Sequence, residues 1–337
     1  MEYSTKIFVK NVGNTELAID LAELSQLVSG PASLIFDNMT AIGTEAFKAA
    51  TNLSYVSLLN CSIVGSSAFM NCTNLRVVSL PNCTSIGVNA FYGCNLTNVY
   101  LPKASGAMLS SAFSGCNSID TLTILQTPSI SSYYNNTQVY INRLNILGSN
   151  TLWGENRGLT WNYNTQFAHN LTTSAKEVYA PNVRAIGSMA FIGYYTEGGY
   201  GYYITQSCSR IYCPNVQEMG WQAFRGNDKL TSIYLPKCTY IHADAFTSCT
   251  ALTAVYLLAT TVPSTYSNIS MTPIPVKSAA SIWNYGINAL QLSIYVRASL
   301  VSQFKQHYNW KYNADQFVGL TDEEIEVLDE KFRKEWE

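Results

Sequence analysis

Charged residues are scarce in this chain of 337 residues, at 12% of the sequence, about half of the usual share. Acidic and basic residues nearly balance, for a net charge of −2, so the composition gives no reason to expect a nucleic-acid partner. No apolar run of about 18 residues occurs, and we expect no membrane-spanning helix. The first residues, MEYSTKIFVKNVG, lack the basic segment and apolar core of a signal peptide.

Residues that carry catalysis and metal binding are equally sparse. There are three histidines, His169, His242 and His307, and the sequence contains no HExxH, GxSxG or GxxxxGK(S/T) motif. No CxxC pair occurs, which argues against a zinc ribbon. Because an enzyme needs a convergent set of acid–base or metal-binding groups, we predict a protein without catalytic activity, metal or other cofactor.

The nine cysteines follow a regular spacing. Four of them stand at intervals of 11 residues from Cys61 to Cys94, and Cys238 and Cys249 are also 11 residues apart. A cysteine that recurs with a repeat is typical of a small buried side chain. We therefore favour free thiols, with a disulfide framework as the alternative.

The dipeptide Ala-Phe marks a repeat of 22 residues. It stands at Ala46-Phe47, Ala68-Phe69, Ala90-Phe91 and Ala112-Phe113, and again at Ala190-Phe191, Ala223-Phe224 and Ala245-Phe246. An aliphatic residue precedes each alanine by four positions, and a cysteine often follows the phenylalanine by three. Further along each unit comes an aliphatic pair two residues apart, such as Val56/Leu58 or Ile233/Leu235. This alternation predicts a short strand in each unit, with both aliphatic residues facing inward.

The pattern I-G-x-x-A-F-x-x-C-x-x-L-x-x-V-x-L-P resembles the BspA-type leucine-rich repeats of bacterial and phage surface proteins. The likeness covers residues 34 to about 258, and seven Ala-Phe units agree in several columns at once. The resemblance implies a mainly β repeat solenoid, a leucine-rich-repeat horseshoe of stacked units of about 22 residues. Short turns or helical turns would connect its strands, and capping helices would close its C-terminal end.

The repeat frame also predicts the domain organisation. Residues 1–33 are expected to cap the N-terminal end, residues 34–296 to form the solenoid, and residues 297–337 to form a helical C-terminal cap or tail. The solenoid is irregular or carries insertions at 127–185 and 259–292. Caps are needed because an open solenoid end exposes core and a strand edge. The stretch IYVRASLVSQFKQHYNW resembles the closing segment of phage-encoded and gut-bacterial members of the family.

Tyrosine dominates the outward position of the strands predicted for the second half of the chain. Small polar residues such as Ser57 and Ser79 hold the same position in the first half. Units stacked in register would align the rings in a ladder, which either stiffens the sheet or forms a contact surface. We adopt the contact surface as the working hypothesis. Its predicted residues are Tyr100, Tyr179, Tyr212, Tyr234, Tyr256 and Tyr295, with Arg210 and, from a nearby insert, Tyr200, Tyr202 and Tyr203.

The last segment, TDEEIEVLDEKFRKEWE, predicts an amphipathic helix. Thr321 and Glu324 have the spacing of a capping box. One helical face carries Ile325, Leu328, Phe332 and Trp336. Residues 321–337 hold eight acidic and three basic residues. Either this helix covers the end of the solenoid, or its apolar face docks onto another subunit.

These features predict a non-enzymatic recognition or adhesion protein. The family resemblance implies a phage or prophage tail-associated protein of the virion that binds a surface glycan or a protein receptor. One alternative is a cell-surface adhesin of a bacterium, which would be extracellular. The other is a structural virion or assembly scaffold that contacts other virion subunits through its C-terminal helix.

Overall fold

The computed structural model describes residues 5–7, 32–36, 39–105, 112–126, 139–148, 175–187, 190–191, 194–197, 200–203, 208–220, 222–242, 245–265 and 292–336. The chain divides into two compact units, Met1–Leu147 with Tyr163–Leu171 and Gly148–Asn162 with Thr172–Glu337. In both units the described residues form stacked turns of a parallel β-solenoid, which confirms the predicted fold class.

The N-terminal unit places its strands in two parallel sheets. Its strands are β1 (Thr5–Ile7), β2 (Ala32–Phe36), β3 (Ala41–Ile42), β4 (Leu53–Leu58), β5 (Ile63–Val64), β6 (Val77–Ser79), β7 (Ser85–Ile86), β8 (Asn98–Ser105), β9 (Ser118–Gln126) and β10 (Tyr140–Ile146). One sheet has the order β1-β2-β4-β6-β8-β9-β10, and the other has the order β3-β5-β7. The repeat fixes the register, because Val56, Val78, Val99 and Leu122 pair in succession and all four are buried.

The Ala-Phe segments form turns that hydrogen-bond from one unit to the next. The amide of Phe69 donates to the carbonyl of Ala90 at 2.7 Å, and the amide of Phe91 donates to the carbonyl of Ala112 at 2.8 Å. The backbone enters the left-handed region two residues after each of these phenylalanines, at Asn71 and, in the next unit, at a glycine. Each turn is therefore held by its neighbours and needs no helix of its own.

The phenylalanines of the repeat stack in a buried column. Ring centroids lie 5.2 Å apart for Phe47–Phe69, 5.4 Å for Phe69–Phe91 and 5.3 Å for Phe91–Phe113. The C-terminal unit repeats the arrangement at 4.8 Å for Phe191–Phe224 and 5.4 Å for Phe224–Phe246. These separations follow the spacing of about 4.8 Å between neighbouring strands, which brings the same side chain of each unit into contact.

The C-terminal unit adds helices to the same architecture. Its elements are β11 (Ala175–Tyr179), β12 (Ala185–Ile186), β13 (Tyr194–Glu197), β14 (Tyr200–Tyr203), β15 (Arg210–Tyr212), β16 (Glu218–Met219), β17 (Ser232–Leu235), β18 (Tyr240–Ile241), β19 (Ala254–Leu257), β20 (Ser293–Arg297), a 3-10 turn (Ala298–Leu300), α1 (Val301–Gln306), a second 3-10 segment (Lys311–Gln316), β21 (Phe317–Leu320) and α2 (Asp322–Lys334). Parallel pairing joins β11 to β15, β12-β16-β18, and β17-β19-β20-β21. In the described part of the chain, no helix is long and apolar enough to cross a bilayer.

Strand β21 was not expected, because the solenoid was predicted to end at residue 296 and residues 297–337 to form a helical cap or tail. It pairs in parallel with β20, with Tyr295 opposite Val318 and Val296 opposite Gly319. The sequence Phe317–Leu320 has glycine where the repeat has its second aliphatic residue, so the alternating pattern is lost. The segment before β21 closes the core with the buried Trp310, whose indole N–H donates to the carbonyl of Pro263 at 2.9 Å.

The segments predicted to be irregular are described only in part. Within 127–185, the strands β10 and β11 keep the repeat geometry, whereas 127–138 and 149–174 lie outside the described residues. Within 259–292, Ser264 bridges to Tyr240, and 266–291 lie outside the described residues. Residues 8–31 of the predicted N-terminal cap also lie outside them.

Candidate recognition surfaces

The predicted outward tyrosines line up in register in the C-terminal unit. Tyr179 pairs with Tyr212, and Tyr234, Tyr256 and Tyr295 pair in succession. The Tyr179 and Tyr212 rings stack at 5.6 Å, and the Tyr256 and Tyr295 rings stack at 4.6 Å with 11° between their planes. These five residues are called the tyrosine column below. The alignment of the column was predicted correctly from the repeat frame.

Helix α2 packs on the tyrosine column through the apolar face that was predicted from the sequence. The Phe332 ring stacks on Tyr234 at 4.4 Å and meets Tyr256 edge-on at 5.4 Å. The Trp336 ring lies 6.1 Å from both Tyr179 and Tyr212. The helix therefore crosses the strands instead of following them.

The pitch of the helix and the spacing of the strands are similar, so contacts between α2 and the tyrosine column can recur along the helix. One turn of an α-helix advances about 5.4 Å, and neighbouring strands are about 4.8 Å apart. Residues one turn apart can consequently lie over different strands, since Phe332 contacts Tyr234 and Tyr256 while Trp336 contacts Tyr179 and Tyr212. At the start of the helix, Ile325 completes the contact in a buried cluster with Tyr234 and Leu258.

The tyrosine column is therefore not the exposed ladder that the sequence suggested. Tyr212 is 9% exposed and Tyr234 only 2% exposed, because aromatic rings and the apolar face of α2 bury each other. In this structure the apolar face of α2 packs against its own chain, so the docking of Ile325, Leu328, Phe332 and Trp336 onto another subunit stays a prediction. The other interpretation, in which the helix covers the end of the solenoid, is closer to the structure. The difference is that α2 lies across a face of the strands.

Arg210, predicted as part of a contact surface, holds the end of α2. Its guanidinium lies 4.8 Å from the centre of the Trp336 ring. The same group lies 3.5 Å from a carboxylate oxygen of Glu335 and 3.4 Å from one of Glu177. The pairing to Glu335 could not be read from the sequence, since the two residues are 125 positions apart.

The start of α2 is fixed by its cap and by an arginine. The amide of Glu324 donates to the Thr321 hydroxyl at 3.3 Å, and the amide of Thr321 donates to the Glu324 carboxylate at 2.8 Å. This is the capping box predicted from the sequence. Arg297 forms an ion pair with Asp322 and donates to the carbonyl of Leu258 at 2.8 Å, two contacts that the sequence did not indicate.

Burial changes the acid–base behaviour of the column. Desolvation, followed by the neighbouring Tyr295 and Glu335, raises the pKa of the Tyr256 phenol above its ordinary value of 10.0. The folded state therefore favours the protonated phenol. The contribution of this group to stability is complete below its unfolded pKa and is lost as pH rises through the raised folded pKa.

Tyr100 differs from the other predicted tyrosines because it is 44% exposed. It lies in register between Ser79 and Thr123 of the neighbouring strands of the N-terminal unit. A parallel row on the same sheet includes Asn98, paired with Thr121. The outward residues of this sheet are called the N-terminal strand face below. They comprise Ser57, Ser79, Asn98, Tyr100, Thr121, Thr123, Arg143 and Asn145.

Hydrogen bonds order the polar groups at one side of the N-terminal strand face. The side-chain amide N–H of Asn145 donates to the Thr123 hydroxyl at 3.0 Å, and the Arg143 guanidinium donates to the side-chain oxygen Oδ1 of Asn145 at 3.1 Å. These bonds hold side chains of adjacent strands in fixed positions. An exposed aromatic ring beside ordered amide and hydroxyl groups is suited to recognition by stacking and hydrogen bonding.

The predicted tyrosine-rich insert forms a hairpin. β13 and β14 pair antiparallel, with Tyr194 opposite Tyr203, Tyr195 opposite Tyr202 and Glu197 opposite Tyr200. The side chains of Tyr200, Tyr202 and Tyr203 lie outside the described part of the structure, so their role in binding stays a prediction.

All nine cysteines are free and buried. In one column, the thiols of Cys72, Cys94 and Cys116 donate to backbone carbonyls of the preceding unit at 2.9 to 3.1 Å. Burial raises the pKa of Cys61 to about 11 and that of Cys116 to about 12. A thiol with a raised pKa and no access to solvent is a poor nucleophile.

We expect the native chain to react with less than about one equivalent of a thiol reagent at neutral pH. After denaturation without a reducing agent, all nine cysteines should react. Colorimetric thiol titration of the native and denatured protein measures both values. A denatured count that rises only after reduction would instead indicate disulfides.

A family model described as "BspA type Leucine rich repeat region (6 copies)" matches residues 40–157 and 164–285. No protein among the curated sequences matches the chain.

Three solved structures illustrate its similarity to other repeat proteins. A leucine-rich repeat protein from Bacteroides ovatus is 15% identical with a TM-score of 0.33, covering 86% of this chain and 84% of its own. A leucine rich cell surface protein from Faecalibacterium prausnitzii is 20% identical with a TM-score of 0.25, covering 68% and 67%. The pneumococcal vaccine antigen PcpA is 12% identical with a TM-score of 0.27, covering 87% and 78%.

Proposed function

The chain belongs to the BspA-type leucine-rich repeat family, and we propose that it is a non-enzymatic recognition protein of a virion or cell surface. Among the described residues, no three of His, Cys, Asp and Glu come together as a metal site would require. The cysteines are buried, and burial raises the pKa of thiols such as Cys61 and Cys116, which makes them unsuitable as nucleophiles. Both observations favour binding over catalysis.

The N-terminal strand face is the observation that carries the proposal. It presents Tyr100 to solvent between the hydroxyl residues Ser79 and Thr123 of the adjacent strands, with Asn145 one strand further on. A tyrosine ring stacks on sugar rings or apolar side chains at low entropic cost, while the polar neighbours fix orientation. We propose a surface glycan or a protein receptor as the ligand of this face.

The tyrosine column supports recognition less directly. Tyr212 and Tyr234 are buried under α2 and could bind an external ligand only if the helix moved away, whereas Tyr179, Tyr256 and Tyr295 are half-buried and Arg210 is exposed. A scaffold that docks onto other virion subunits through α2 has less support, because the apolar face of that helix is already engaged. A phage tail or a bacterial envelope is the proposed location. Fractionation of a producing culture into virions and cell envelopes distinguishes the two.

Replacing Tyr100 with alanine should weaken binding to host cells about 10-fold or more, as for an aromatic residue at the centre of an interface. Flow cytometry of labelled protein on a panel of bacterial cells measures the effect. Tyr308→Ala is the matched control, because Tyr308 is also exposed but lies in the C-terminal unit. Periodate treatment of the cells should abolish binding to a glycan, and protease treatment should abolish binding to a protein.

Equal binding by Tyr100→Ala and the wild-type protein, at unchanged melting temperature, would remove the N-terminal strand face from the proposal. Comparable losses in Tyr100→Ala and Tyr308→Ala would also count against it, because they would indicate a nonspecific contribution of exposed aromatic residues.

A further inference from the structure

A cavity of about 460 Å³ lies between the first turns of α2 and the end of the tyrosine column. It is lined by Tyr256, Tyr295, Leu320, Glu323, Glu324, Val327 and Leu328. The residues that line the cavity all belong to the C-terminal unit, whereas the N-terminal strand face consists of residues of the other unit. Its volume is in the range of pockets that hold small ligands or single side chains.

The walls of the cavity are aromatic and aliphatic. Tyr256 and Tyr295 stack in parallel at 4.6 Å and form a double aromatic wall. Leu320 and Leu328 are half-buried on the other sides, whereas Val327 is 70% exposed and lies at the open side of the cavity. The methylene groups of a long side chain could enter the cavity and stay in contact with these apolar residues.

The charged groups that line the cavity are both carboxylates. Hydrogen bonds from its own backbone N–H and from the Thr321 hydroxyl lower the pKa of Glu323, so this group stays ionised at neutral pH. Neither Glu323 nor Glu324 has an ion-pair partner in the described part of the chain. The nearby Arg297 is already paired with Asp322. Aromatic faces and unneutralised carboxylates together favour a cation.

We propose that this cavity binds the guanidinium group of an arginine side chain presented by a partner protein. The planar guanidinium can pair with a carboxylate while it stacks on a tyrosine face, which an ammonium does less well. The methylene stem would pack against Leu320 and Leu328. This site goes beyond the proposed function, because it adds a second contact of defined chemistry on the other unit.

The test uses the full chain and Nα-acetyl-arginine amide as the probe. Saturation-transfer NMR should show binding of this probe that weakens as the salt concentration rises. The isosteric but neutral Nα-acetyl-citrulline amide should show no binding. Glu323→Gln should weaken binding about 10-fold, the lower end expected for a charged hydrogen bond, because the site is open to solvent. Glu326→Gln is the matched control, since Glu326 lies on the same helix but does not line the cavity.

Three outcomes would overturn the proposal. Equal binding of the citrulline compound would show that charge is not recognised. Equal effects of Glu323→Gln and Glu326→Gln would assign the attraction to the whole acidic helix. Binding of choline as tight as that of the arginine compound would identify a site for small amines rather than for an arginine side chain. Loss of cell binding in Tyr100→Ala would leave this result unchanged, so failure of the two proposals is distinguishable.

Discussion

Replacing Phe91 with alanine is expected to lower the free energy of unfolding of the N-terminal unit by about 3–5 kcal/mol. The ring is fully buried and stacked between Phe69 at 5.4 Å and Phe113 at 5.3 Å. The gap cannot close easily, because the amide of Phe91 is hydrogen-bonded to Ala112 of the next unit. Urea unfolding followed by circular dichroism measures the change.

Tyr92→Ala is the matched control, because it removes the neighbouring aromatic side chain, which is 37% exposed. We expect a loss below about 1 kcal/mol for this substitution. The contrast matters because stability in a repeat array comes from contacts between adjacent units. Similar losses for the two substitutions would show that the phenylalanine column does not hold the units together.

The repeat frame could be predicted because it is local. Every unit places the same residue types at the same spacing, so the strands, the buried Ala-Phe turns and the register of the tyrosines follow from one pattern. The burial of the cysteines that recur with the repeat follows from it too. Strand β21 breaks the pattern at Gly319, and it could not be found by the same reasoning.

The position of α2 could not be predicted, because it depends on the direction of the chain after an unrecognised strand. The sequence nevertheless contained one indication of its position, which is the length of the tyrosine column compared with the length of the apolar face of the helix. The column from Tyr179 to Tyr295 spans about 19 Å at the usual strand spacing. The helical face from Ile325 to Trp336 spans about 17 Å at 1.5 Å per residue. Two apolar surfaces of similar length in one chain are candidates to cover each other.

Replacing both Phe332 and Trp336 with alanine is expected to release α2 from the tyrosine column. The two rings contact four of its five tyrosines, and their loss should cost about 5 kcal/mol of docking free energy. An isolated helix of 13 residues is marginal in water, so the released segment should unfold. Trypsin should then cleave after Lys331, Arg333 or Lys334 at least about 100-fold faster than in the wild-type chain.

Val327→Ala controls for the loss of an apolar side chain on the same helix, because Val327 is 70% exposed, and its cleavage rate should stay near that of the wild type. The wild-type chain offers a second check through pH. Ionisation of Tyr256 opposes docking, so cleavage should accelerate as pH rises above the ordinary pKa of 10.0 and through the raised pKa of this phenol. A double variant that resists trypsin as well as the wild type would mean that other contacts, such as the ion pair of Arg297 with Asp322, hold α2 in place.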